Sequence, residues 1–216
     1  MDEFQLAAAL VSLLGEPIPH SPAADAEAVS LRRESSDDRR ALLKAAELCG
    51  KPHTAAQFYL CTKIYSWLGR EYDGQTIQCA EACLSQPLWE ALPTGTREQE
   101  GVTVDLSTHV RAGIFADLAG AYAGTGQYDK ACSSYLRAYG LEPYGVNYAV
   151  EVSNVLVLLG RPKEAMDFLI QQRKSPCSRV IRYRDRNGAV RFNSSFRDIL
   201  DRQILCLQKR FDRNGG

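Results

Sequence analysis

Apolar residues along most of this chain recur at helical spacings of three and four, and the pattern itself repeats. From Ala112 to Gly145, the residues Phe115, Leu118, Ala119 and Tyr122 mark the inward face of a first helix. The turn Gly124-Thr125-Gly126-Gln127 follows, and Tyr128, Ala131, Tyr135 and Ala138 mark the facing stripe of a second helix, closed by Pro143. Thirty-four residues separate Gly126 from Gly160, and the same interval separates Ala131 from Ala165. A second copy therefore runs from Val146 to about Ser178, with Leu156 and Leu169 in the places of Tyr122 and Tyr135. An earlier copy spans Ala55 to Trp89, where Phe58, Tyr65 and Gly69 fall at the expected offsets. One extra residue in its turn then brings Cys79, Ala82 and Pro87 into register. Each such unit buries its apolar face only against a neighbour, so about three make a stable array.

The flanks read differently. Phe4 to Leu14 is a short helix ended by Gly15, and Pro17, Pro19 and Pro22 make the next stretch a linker. Ala23 to Leu31 is helical, and Ser35-Ser36-Asp37-Asp38 offers N-caps for a helix from Arg39 to Cys49. Thr54 caps the helix that opens the first copy. Residues 90–107 interrupt the array with loop chemistry, Pro93-Thr94-Gly95-Thr96 and then Arg97-Glu98-Gln99-Glu100-Gly101. Beyond Pro176 the period changes to two around Asn187-Gly188, a hairpin signal. A two-residue turn there pairs Tyr183 with Phe192, Arg184 with Arg191 and Asp185 with Val190. Ser194 or Ser195 then caps a last helix with the apolar stripe Phe196, Ile199, Leu200, Ile204 and Leu207.

The central copy resembles the tetratricopeptide repeat family, whose pattern is W-x2-L-G-x2-Y, then A-x3-F, then P. Phe115, Leu118, Ala119 and Tyr122 stand in the first four places, and Ala131, Tyr135 and Pro143 in the last three. The resemblance implies an all-α fold: a short helical solenoid of about three helix pairs. To this the residue pattern adds helical caps and a small C-terminal β-hairpin. The chain then divides into an N-terminal helix and Pro-rich linker (1–22), the repeat domain (23–178, with the loop insertion) and a basic hairpin with its capping helix (179–216). The resemblance also implies that a peptide or helix is held in a groove lined by the exposed side of each first helix. On this chain that side carries Tyr59, Lys63 and Ser66 in the first copy, and Gly113, Ala116 and Gly120 in the second. Asn147, Glu151 and Asn154 carry it in the third. Some family members grip a C-terminal carboxylate with a Lys/Asn/Arg clamp. Lys63 and Asn154 match that only in part, and Glu151 opposes an acidic peptide.

Composition narrows the address more than the role. Hydrophobic residues make up 45% and charged residues 24%, ordinary for a globular protein. No apolar run approaches the roughly 20 residues of a membrane helix. The acidic start and seven scattered cysteines point to the cytoplasm. Net charge is zero but divided: residues 1–172 carry 14 basic and 22 acidic side chains (−8), and residues 173–216 carry 12 and 4 (+8). Arg182, Arg184, Arg186 and Arg191 fall on one face of the expected hairpin, a candidate for anion or nucleic-acid binding, or for docking on the acidic repeats. Cys79 and Cys83 stand four apart without further ligands at metal spacing, so no metal or cofactor is expected. With no catalytic signature, the sequence reads as a protein-interaction scaffold rather than an enzyme. A nucleic-acid accessory protein working through the arginines is the alternative.

Overall fold

The computed structural model describes residues 2–15, 18, 20–87, 95–99, 102–174, 180–184 and 190–214. Two compact units emerge: Met1–Pro93 with Gly120–Gly126, and Thr94–Ala119 with Gln127–Gly216. Among the described residues no helix is long and apolar enough to cross a membrane.

The first unit is helical. Helix α1 (Glu3–Ser12) starts where the Asp2 carboxylate accepts from the Phe4 amide, and it buries Leu6 through Val11. It packs on α2 (Pro22–Glu34) and α3 (Asp38–Cys49), and α3 in turn packs on α4 (Ala55–Leu68). A capping box closes the start of α4: the Thr54 hydroxyl accepts from the Gln57 amide while the Gln57 side chain returns to the Thr54 amide. After a single 3-10 turn, α5 (Asp73–Leu84) packs against α4. Leu60, Ile64, Ala80 and Cys83 are fully enclosed in this unit.

The second unit begins with a feature the sequence reading treated as a loop. Strands β1 (Thr96–Gln99) and β2 (Val102–Asp105) form an antiparallel pair, Arg97 opposite Val104 and Glu98 opposite Thr103. Asp105 then caps α6 (Leu106–Gly124), its carboxylate accepting from the Thr108 amide at 2.7 Å. Hydrogen bonds from Ser107 and Thr108 hold that carboxyl below its ordinary range. Helices α7 (Tyr128–Leu141), α8 (Val146–Leu158) and α9 (Pro162–Arg173) follow, each packed on the next. Strands β3 (Val180–Arg184) and β4 (Val190–Ser195) lead into α10 (Phe196–Asn214), which lies on α9 and α8. The 34-residue spacing acquires a conformational reason here. Gly126 ends α6 with φ +77° and Gly160 ends α8 with φ +72°, a left-handed geometry that an L side chain resists. Gly69, at the equivalent place after α4, has φ +96°.

The expected fold class needs correction outside the helical body. The loop at 90–107 contains the β1–β2 pair just described. The C-terminal hairpin with a two-residue turn and an arginine face does not stand either. Backbone pairing sets Arg182 opposite Asn193 but Tyr183 opposite Arg191, so the register shifts by one and leaves Phe192 as the extra residue. Arg184 therefore faces Val190 across the pair rather than Arg191. The expected pairing of Arg184 with Arg191, on which the arginine face was built, is therefore replaced by Arg191 at the register position of Tyr183. Arg186 and the Asn187-Gly188 turn lie outside the described residues, as does Pro176.

Candidate functional site

The richest polar constellation lies within the second unit, where α6, α7 and α8 meet. The stretch from His109 to Ala116 carries little bulk at Gly113 and Ala116, both half-buried. From the α7–α8 turn, Glu142 points inward and is only 3% exposed. Its carboxylate is served by three donors. His109 Nδ1 lies 2.7 Å from Oε1, the Tyr144 hydroxyl donates at 3.2 Å, and the Tyr148 hydroxyl bonds the same carboxylate. Three donors on one carboxylate make burial of the charge tolerable, because they replace much of the hydration it loses. Gly145 is required by the same arrangement: a Cβ there would sit 2.7 Å from the Tyr148 ring.

Two further carboxylates border this network. Asp117 on α6 acts electrostatically on both Tyr135 and Tyr148, and Glu151 on α8 acts on Tyr135. Burial, with those charges added, pushes the Tyr135 hydroxyl up to about 12. Burial, and then the adjacent Glu142, pushes Tyr148 well above the usual tyrosine range. Both hydroxyls consequently remain donors at any physiological pH. Asn154 Nδ2 donates to Glu151 at 3.3 Å, and Gln203 Nε2 of α10 donates to Asn154 Oδ1 at 2.8 Å and to Ser153 Oγ at 3.2 Å. The last helix thus fixes the far end of the network. Arg137 stacks over the Phe115 ring with its guanidinium 5.6 Å from the centroid.

The sequence-derived groove residues divide between the units. Gly113, Ala116, Asn147, Glu151 and Asn154 belong to the second; Asn147 is exposed and the others half-buried. In the first unit Tyr59 and Lys63 are buried, with the Lys63 ammonium 5.9 Å from the Tyr59 ring centroid, while Ser66 is half-buried and Gly120 exposed. Lys63 can be enclosed because its long apolar stem packs while its charged end finds a ring face. Gly124, which opens the turn of the central copy, is approached by the Asp73 carboxylate, which a Cβ there would overlap. Arg182, Arg184 and Arg191 occupy strand positions on β3 and β4.

Sequence reasoning missed His109, Asp117, Glu142 and Tyr148, none of which sits at a motif spacing. It also missed a thiol cluster in the first unit. Cys61 of α4 bonds the thiols of Cys49 on α3 and Cys79 on α5, and Cys83 Sγ lies 3.5 Å from the Ala55 carbonyl oxygen. The Cys49 contact pushes the Cys61 thiol up to about 12, and burial does the same for Cys83. Cys79 borders a cavity of about 410 Å3 whose other walls include His53, Phe58 and Tyr65. Among the described residues no group of three or more His, Cys, Asp or Glu side chains is arranged to hold a metal ion.

No family model matches the chain, and no curated protein matches it. Among solved structures, the crystal structure of MamA aligns with a TM-score of 0.48 at 11% sequence identity, covering 91% of this chain and 99% of that one.

Proposed function

We propose that this protein is an interaction scaffold that holds a peptide against the α6–α8 face of its second unit, with a basic side chain of the peptide received between Asp117 and Glu151. The observation that carries this reading is the charge and shape of that face. The carboxylates of two half-buried residues, Asp117 and Glu151, act on Tyr135, and Gly113 and Ala116 on the same stretch of α6 leave room for a backbone to approach. Tyr135, kept neutral, offers a hydrogen bond without adding charge. A Lys or Arg of the ligand gains charge-assisted hydrogen bonds there that an acidic peptide would forfeit. The tetratricopeptide-like pattern of the sequence supports the same class of function.

The test is proximity labelling in native cells with the wild-type protein and with Asp117→Asn plus Glu151→Gln, both nearly isosteric. Loss of specific partners in the double variant, at unchanged helicity and melting temperature, is the expected result. An unchanged partner set would defeat the proposal.

A further inference from the structure

Helix α10 presents a second, mixed face beside the apolar stripe that serves for capping. Phe196, Leu200 and Leu207 are buried, and Gln203 on the same side reaches α8. About 100° around the helix, Arg197, Asp201, Ile204, Leu205 and Gln208 form a second stripe, reckoned at 3.6 residues per turn. Opposite it, Ile170 and Arg173 of α9 and Lys174 at its C-terminal end face the same space. The two stripes line a groove of about 810 Å3. Its floor leaves Leu205 49% and Ile170 41% exposed, unusual for residues whose burial is worth roughly 1.5–3 kcal/mol each.

The charge of the groove selects the occupant. Arg173 is engaged with Asp201, Nη2 lying 3.2 Å from Oδ2 and Nε closer still to Oδ1. That pair cancels. Lys174 and Arg197 remain at the rim, with no ion pair among the described residues, so the groove is apolar in the middle and positive at its edge. The whole segment from residue 173 onward carries +8. From Arg197 to Gln208 the lining stripe covers about three turns, or roughly 17 Å, the length of a short helix laid alongside.

We propose that the α9–α10 groove is a second docking site, distinct from the α6–α8 face, for an acidic amphipathic helix of a partner protein. Large apolar side chains at i, i+3 or i+4, and i+7 of that helix fill the space over Ile170, Ile204 and Leu205. Flanking Asp or Glu residues meet Lys174 and Arg197. An RNA strand is a poorer occupant, because the lining has no aromatic ring for base stacking among the described residues and an RNA backbone would bury no matching apolar surface on its floor.

Selection from a random 16-residue peptide library on the immobilised full-length protein tests this directly. The expected result is enrichment of peptides with net negative charge and helically spaced apolar residues. Leu205→Glu lowers that enrichment at least tenfold, and Lys174→Glu with Arg197→Glu shifts it towards basic peptides. Asp117→Asn with Glu151→Gln leaves it unchanged, which separates failure here from failure of the α6–α8 reading. No enrichment over the Leu205→Glu variant, or enriched peptides without acidic bias, overturns the proposal. So does a labelled 20-nucleotide oligouridine that binds the wild type but not the Lys174/Arg197 variant. A dimer in light scattering that Leu205→Glu converts to monomer also overturns it, making the occupant a second copy. Circular dichroism melts confirm that each variant is folded.

Discussion

Removing the Glu142 carboxylate tests whether the network around it is a working part of the fold. In Glu142→Ala the three groups that donate to it, His109, Tyr144 and Tyr148, lose their acceptor together. They do not lose equally. The His109 side chain is 37% exposed, so water replaces much of its bond and the charge interaction counts for little. Tyr148 is packed against Gly145 and keeps a poorly solvated hydroxyl, which costs about 1–3 kcal/mol when left unpaired. Adding a smaller share for Tyr144 and for lost packing gives a destabilisation of about 2–4 kcal/mol. Glu142→Gln keeps the volume and one acceptor oxygen and should lose about 1 kcal/mol. Urea unfolding followed by far-UV circular dichroism measures both, with hydrogen exchange over residues 128–158 locating the effect in the second unit. Adding Tyr148→Phe to Glu142→Ala should recover about 1 kcal/mol by removing the orphaned hydroxyl. An Ala variant within about 0.5 kcal/mol of wild type would refute the account, as would a Gln variant as damaging as Ala.

Other expectations follow from particular residues. Leu169→Ala, at a fully enclosed position of α9, should destabilise the second unit by about 2–5 kcal/mol in the same urea assay. Gly160→Ala should lose about 1 kcal/mol because φ there is +72°, whereas Gly140→Ala, on the exposed side of α7 with no neighbour within 4 Å, should gain up to about 1 kcal/mol. The folded state holds the Tyr135 hydroxyl protonated to about pH 12, while the unfolded chain releases its proton near the ordinary tyrosine value of 10.0. Its contribution, about 1–2 kcal/mol after allowing for partial exposure, is therefore complete below pH 10 and lost as pH rises towards 12; Tyr135→Phe should flatten that part of the alkaline stability curve. Native-state alkylation read by peptide mapping should label exposed Cys206 within minutes and Cys61, Cys79 and Cys83 only after unfolding, since burial and raised thiol pKa leave little thiolate.

The sequence by itself determined the helices and their stops. Apolar spacing at three and four residues commits a segment to a helix whatever lies beyond it. A glycine is demanded wherever the chain leaves a helix left-handed, which is why Gly126 and Gly160 were legible as a period before any geometry was known. Thr54 with Gln57 was readable for the same reason, since a cap is satisfied within four residues. Tertiary structure decided everything that depends on what arrives from elsewhere in the chain. Lys63 read as a groove residue and is enclosed beside Tyr59. Glu142 carries no sequence signal at all, yet it gathers His109 from 33 positions away and two tyrosines into one network. The β3–β4 register turned on one extra residue, Phe192, that no alternation pattern announces. Local periodicity fixes which face of an element is apolar, because that is a property of a dozen consecutive residues. Whether a charge on that element is solvated, paired or buried is fixed only by its neighbours in space, and the two candidate faces of this protein belong to that second kind.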